Sequence, residues 1–217
     1  MIHLYYTYLS KENHEKLLQN SLAKFPSDFQ DRIKKFRRWQ DAQFSLLGRV
    51  MLFKGIEEVK KQNCDTSEIK YTMYNKPYFE DSLVQFNISH SGEIVVCALS
   101  DEHQMGIDIE AITNIELQDF KSQMTEKEWR TVNDSNDKRE TFFNYWTQKE
   151  AVIKAHGHGL SVPLKSFEIR DNTTQINDQV FYLKEVNIDK NYKCYISSKI
   201  NMKEVIVKKY NTISNLI

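Results

Sequence analysis

One pattern recurs along this chain of 217 residues and limits what it can fold into: a short apolar strand, helical periodicity ending in a long helix, then more short strands. Ile2 to Leu9 is rich in β-branched and aromatic residues and reads as a strand. A helical region follows from about Asn13 to about Lys61, broken near Pro26, with its long piece over Asp41 to Lys61. Short apolar runs return at Lys70 to Met73, Val84 to Ser89 and Ile94 to Ser100, punctuated by Lys76-Pro77 and Ser91-Gly92. A strand at Met105 to Ala111 opens a second cycle, with helices near Thr125 to Val132 and Lys138 to His156 and short strands between Phe167 and Val207. The shared order predicts an α/β (α+β) protein of two similar halves, 1–104 and 105–217, each a small sheet against a long helix. Letter-by-letter repetition between them is poor, so the duplication rests on element order alone.

Composition excludes several classes. Twelve Phe, 11 Tyr and 3 Trp against only 6 Gly and 3 Pro describe a chain that buries a core and connects its elements economically, not a disordered one. Thirty basic residues cancel 30 acidic ones, so no global field draws the protein to nucleic acid or an anionic membrane. The local exception is RIKKFRR, Arg32 to Arg38, which predicts a positive helical patch. Such a run is a solvated face, a phosphate site or a dock for an acidic partner helix. Cys64, Cys97 and Cys194 are odd in number and lack CxxC spacing, which speaks for reduced thiols in a cytoplasm. No stretch approaches the roughly 20 apolar residues of a membrane span, and the amino terminus does not read as a signal peptide.

Chemistry concentrates in three segments. In GIDIE, Asp108 and Glu110 lie two apart on a strand, so both carboxylates take one face while Ile107, Ile109 and Ala111 take the other. Either this is an exposed edge with solvated carboxylates, or a hard divalent cation relieves their repulsion. In TFFNYWTQKEAVIKAHGHG, Phe142, Trp146 and Ile153 keep helical spacing and Gly157 and Gly159 mark the helix end. Glu150 and Lys154 sit one turn apart there: a surface pair worth ~0.3–0.5 kcal/mol, or a carboxylate and a cation for phosphate chemistry. FNISHSG sets Ser89 and His90 where a strand gives way to a turn, but adjacent strand residues face opposite ways, which argues against a Ser-His hydrolase pair. His90 reads as an anion contact or a structural histidine. Thr125 and Glu128 form a T-x-x-E capping box, and His156 and His158 read as loop histidines.

Taken together, FNISHSG, GIDIE and WTQKEAVIKAHGHGL, in this order and spacing, resemble the surfactin-synthetase-type phosphopantetheinyl transferase family. DAQFSLLG at Asp41 to Gly48 and Asn75-Lys76-Pro77 extend the resemblance from about Arg32 to Leu164. It implies a monomer of two pseudo-twofold-related halves with the active site in the cleft between them. It also implies magnesium and coenzyme A, and transfer of the phosphopantetheine arm to a serine of an acyl or peptidyl carrier protein, with adenosine 3′,5′-bisphosphate leaving. By motif, Asp108, Glu110 and Glu150 look like magnesium ligands, Glu150 or a metal-bound water like the base for the carrier serine, and Lys154 like the residue that steadies the pyrophosphate. Lys76, Ser89 and His90, with Arg32 and Ser45, are similar to positions that hold the adenosine and its 3′-phosphate. Glu128 is similar to a position that reaches a metal-bound water. Asn75 stands where the family has glycine, a change that asparagine's tolerance of left-handed backbone permits. Candidate carriers include those of fatty acid, polyketide, nonribosomal peptide and lysine-forming pathways. Neither nucleic acid nor membrane is among the expected partners. The competing readings are a magnesium-dependent hydrolase of another phosphoanhydride, for which no P-loop exists, a module that binds coenzyme A or a carrier without turnover, and a nucleic-acid-binding protein built on the basic run Arg32 to Arg38, which the zero net charge disfavours.

Overall fold

A computed structural model describes residues 1–61, 65, 69–80 and 84–210; Cys64 lies outside them. The chain divides into two compact units, one of Met1–Thr72, Pro77–Glu102 and Glu204–Ile217, the other of Met73–Lys76 and His103–Lys203.

The first unit opens with β1 (Ile2–Tyr8), continues through helices α1 (His14–Ser21), α2 (Ser27–Lys34) and α3 (Trp39–Lys60), and adds strands β2 (Ile69–Tyr71), β3 (Pro77–Phe79), β4 (Gln85–Ser91) and β5 (Ile94–Ser100). The small β2–β3 pair stands apart from a four-stranded sheet of order β10-β1-β5-β4, where β10 is Val205–Lys209. Every residue of β5 is buried, which explains why IVVCALS reads as a continuous apolar run instead of an alternating one. Helix α3 packs on this strand through Leu47, Met51 and Ile56 against Val95, Cys97 and Leu99. Strand β10 runs parallel to β1, with Ile2 opposite Val205, and Tyr210 stacks on Tyr5.

The second unit opens with β6 (Met105–Ala111), continues through α4 (Glu126–Asp134) and α5 (Lys138–His156), and closes with β7 (Thr173–Ile176), β8 (Gln179–Glu185) and β9 (Tyr192–Ser198). Its sheet is antiparallel in the order β6-β9-β8-β7, so β6 is an edge strand of its own sheet. Helix α5 lies across β6 and β9 and also packs against α4, where Phe142 and Phe143 meet Trp129 and Val132. Each unit is thus a mixed α/β body built on a four-stranded sheet and one long helix, as the element order predicts.

The approach of α5 to β6 is set by a missing side chain. A Cβ on Gly106 would stand 2.2 Å from the Ala151 carbonyl oxygen and 2.2 Å from the Ala155 nitrogen, both backbone atoms that cannot rotate away. Gly106→Ala therefore has to push the helix off the strand. We expect it to lower unfolding free energy by at least the ~1–3 kcal/mol typical of overpacking, read as an earlier urea midpoint.

Two expectations are corrected by the structure. The basic run is not one helical patch: α2 ends at Lys34, residues 35–38 form a turn, and α3 begins at Trp39. Lys34, Lys35, Arg37 and Arg38 on one continuous helix would bring like charges onto neighbouring turns, and the break separates them. His156 is not a loop residue but the last residue of α5, which stops at Gly157 with φ of 86°.

Candidate functional site

In the second unit the alternation of β6 decides what its carboxylates face. Gly106, Asp108 and Glu110 share one side of the strand, and Gly106 meets the α5 backbone, so that side looks at the helix. Register agrees. Glu110 stands opposite Lys193, whose ammonium reaches Glu140 in the first turn of α5 at 2.8 Å. The strand thereby brings Asp108 under the last two turns of α5, where Lys154 Nζ donates to Asp108 Oδ1 at 2.6 Å. Asp108 is 3% exposed, while Glu110, Glu150 and Lys154 are half-buried. Burial pushes the Glu150 carboxyl above the usual carboxylate range, the Asp108 charge pushes it further, and Lys154 opposes both. A carboxyl in that position binds a proton or a cation more readily than one in water.

Lys76 belongs to the same cluster. Its ammonium donates to the Lys154 carbonyl at 2.7 Å and to the Met105 carbonyl at 3.5 Å, so it caps the end of α5 and touches the start of β6. Asn75 before it takes φ of 60°, the left-handed geometry expected of asparagine in a glycine position. Burial, with help from the Lys199 charge, lowers the Lys76 pKa to about 8. In a ¹³C titration of the lysine ε carbons, one signal is expected to shift near pH 8 and to vanish in Lys76→Met. Retention of that signal in the variant rules out the assignment.

Among the described residues, no group of three or more His, Cys, Asp and Glu is gathered closely enough to hold a metal ion. In the donor set around β6, Lys154 neutralises Asp108 directly. The donors themselves fit magnesium by chemistry: hard carboxylate oxygens, one of them on a Glu150 carboxyl whose hold on a proton is raised first by burial and then by the Asp108 charge.

Glu128 and Lys149 form a structural core beside this cluster. Thr125 accepts from the Glu128 backbone N–H at 3.2 Å and the Glu128 carboxylate accepts from the Thr125 N–H at 2.9 Å, the reciprocal capping box predicted for α4. The same carboxylate accepts from Ile169 N–H at 3.2 Å and pairs with the Lys149 ammonium at 3.0 Å, both side chains being 1% exposed. Lys149 completes its donors on the carbonyls of Leu164 and Phe167, each at 2.7 Å. The sequence offers one sign of this role: Lys149 falls on the stripe marked by Phe142, Trp146 and Ile153, where a lysine has no reason to sit unless paired.

In the first unit, Ser45 lies on α3 and Ser89 and His90 on β4. Ser89 is 5% exposed while His90 is exposed, as opposite faces of one strand require. The His90 ring stacks on Phe44 with centroids 4.2 Å apart, next to Ser45 in the chain. Arg32, in the last turn of α2, instead reaches Tyr71 on β2.

With these geometries in hand, comparison with known proteins gives the class. Residues 104–205 match the 4'-phosphopantetheinyl transferase superfamily, and residues 12–102 match the family described as 4'-phosphopantetheinyl transferase, N-terminal. The chain is similar to the 4'-phosphopantetheinyl transferase Sfp of Bacillus subtilis (strain 168), 32% identical over 197 residues that cover 85% of each protein. It is 40% identical to the 4'-phosphopantetheinyl transferase gsp of Aneurinibacillus migulanus over 138 residues, 63% of this chain and 57% of that protein. The mouse L-aminoadipate-semialdehyde dehydrogenase-phosphopantetheinyl transferase is 34% identical over 154 residues, 64% of this chain and half of that protein. The chain belongs to the 4'-phosphopantetheinyl transferase superfamily, whose members move the phosphopantetheine arm of coenzyme A to a serine of a carrier protein.

Proposed function

We propose that this protein converts an apo-carrier protein, acyl or peptidyl, to its holo form, with Asp108, Glu110 and Glu150 as the residues that hold magnesium. The observation that carries the reading is the convergence on one strand face of a buried carboxylate, a half-buried carboxyl of raised proton affinity and a lysine bonded to the first of them. Magnesium held by these oxygens supplies charge neutralisation at the pyrophosphate. Glu150 is positioned to take the proton of the carrier serine as its oxygen bonds to the phosphorus bearing pantetheine. The bond from that phosphorus to adenosine 3′,5′-bisphosphate breaks, and Lys154 holds the charge left on the departing phosphate. Lys76, Ser89, His90, Ser45 and Arg32 are proposed as contacts for the rest of coenzyme A. In support, four of these five are polar side chains on strands or helices of fixed geometry, and Lys76 is tied to the end of α5.

We further propose that residues 1–104 and 105–217 are the two halves of the transferase fold, with β10 returned to the first sheet, and that the protein works as a cytoplasmic monomer. The buried free thiols of Cys97 and Cys194 suit a reducing compartment, and among the described residues no helix is long and apolar enough to cross a membrane. Incubation with magnesium, coenzyme A and a panel of apo acyl and peptidyl carriers, including those of nonribosomal peptide synthesis, tests the reading. A phosphopantetheine mass increase on at least one carrier is expected. Binding of coenzyme A with no carrier modified would leave a binding module instead.

A further inference from the structure

The stack of His90 on Phe44, in the first unit, is fixed from two sides. Helix α3 approaches β4 closely at Gly48, where a Cβ would stand 2.9 Å from Ile88 Cγ2 and 3.4 Å from Ile88 Cδ1. Four residues back along the helix and two on along the strand each cover roughly 6–7 Å, so the next pair to face each other is Phe44 and His90. Their rings lie 4.2 Å apart between centroids and 10° from parallel. Gln43, fully buried just before Phe44, anchors the start of the helix. Its amide oxygen accepts from the Ser10 N–H at 2.7 Å and its amide nitrogen donates to the Ser10 carbonyl at 3.0 Å. Phe44 is itself 6% exposed, whereas His90 is exposed.

A buried, anchored ring beneath an exposed one has a definite effect. An exposed imidazole ordinarily samples several χ1 and χ2 settings, and a ligand that needs one of them must order the ring as it binds. With one face laid on Phe44, the His90 ring keeps its plane, and both its nitrogens point along that plane. The wall formed by α3 needs apolar bulk at position 44, but bulk alone does not fix the plane of a neighbouring ring. A second flat ring does.

We propose that Phe44 is a positioning residue for coenzyme A, holding the His90 imidazole in one plane before the ligand arrives. The inference rests on the reading of His90 as a coenzyme A contact. It adds to that reading a residue that acts through another, and it makes the aromatic character of position 44, more than its size, the property on which affinity depends.

The ring plane is read by NMR on the full chain. The carbon-bound ring protons of His90, assigned by their absence in His90→Gln, are expected upfield of those of an unstacked histidine and should move back downfield in Phe44→Leu. Phe44→Leu and Phe44→Met both keep apolar bulk without a ring, so if one fails to fold the other serves, and Phe44→Tyr keeps the stack. Affinity for coenzyme A, measured by calorimetry, is expected to fall about three- to tenfold in Phe44→Leu, the scale of ordering one side chain, and to stay near wild type in Phe44→Tyr. In carrier modification Phe44→Leu should raise KM for coenzyme A and leave kcat in place. Added to His90→Gln, Phe44→Leu is expected to weaken binding no further, which a general loosening of α3 does not reproduce. Wild-type affinity in Phe44→Leu and Phe44→Met, or an equal loss with and without His90, overturns the proposal. Wild-type affinity in His90→Gln overturns the coenzyme A contact and the proposal with it. Carriers left unmodified while these binding differences hold count against the transferase reading alone.

Discussion

Asp108→Ala and Glu150→Gln are each expected to lower the rate of carrier modification by about 10²-fold or more, the scale on which charge stabilisation at a transferring phosphate operates. Each substitution removes one negative charge from the space between β6 and α5; alanine leaves no ligand there and glutamine leaves a neutral carbonyl oxygen in place of an anionic one. Asp108→Ala also strips Lys154 of its 2.6 Å partner, so its ammonium is no longer aimed. Wild-type activity should likewise stop on chelation of magnesium and return on its addition. Circular dichroism and coenzyme A binding provide the controls, since loss of modification with fold and binding retained points to the reacting centre. If Glu150→Gln modifies carriers at the wild-type rate, Glu150 is neither ligand nor base, and a reading that relies on three carboxylates is wrong.

Lys149→Ala is expected to cost about 3–5 kcal/mol of stability, because it leaves the Glu128 carboxylate charged in a site where both side chains are 1% exposed. The carbonyls of Leu164 and Phe167 lose their donor as well. Burial lowers the Lys149 pKa and Glu128 pulls it back up, as for an ion kept charged by its partner. The double variant Lys149→Ala, Glu128→Gln should recover part of the loss, since it removes both charges and keeps one acceptor oxygen for either the Thr125 or the Ile169 N–H, which bond to different oxygens of the carboxylate. Urea denaturation of the four members of the cycle measures the coupling directly. Additive losses would mean that the ion pair contributes nothing beyond its separate hydrogen bonds.

Much of the site was legible because it depends on local periods. Met105 to Ala111 reads as a strand and folds as one, so the shared face of Asp108 and Glu110 follows from alternation alone. Thr125 and Glu128 announce a cap three residues apart, and the structure forms it. The end of α5 at Gly157 is equally local. What escaped is what distance in the chain conceals. Gly106 looks like one more small residue in GIDIE, and only the packed helix reveals that a Cβ has no room there. Lys149 stands beside Glu150, whose chemical role is evident from its motif, and its own partners come from α4 and from the carbonyls at 164 and 167. Arg49 reads as an ordinary helical arginine until Tyr71, from a three-residue strand, closes over it. The turn at 35–38 is not legible either, because RIKKFRR contains no glycine or proline to mark the end of α2.

The parallel pairing of β10 with β1 carries a consequence for how the molecule is made. Synthesis proceeds from the amino terminus, so β1 leaves the ribosome before the whole second unit is made, and β10, one of its two neighbours in the sheet, only after it. Meanwhile the outer edge of β1, carrying Leu4 and Tyr6, offers its backbone N–H and C=O groups to any passing strand. Tyr210 and Lys208 then secure the late arrival on Glu58 of α3, at 3.0 and 2.6 Å. The nascent chain is therefore at its stickiest while the whole second unit is being translated, and chaperone dependence during expression should track the availability of β10 more closely than any property of the reacting centre.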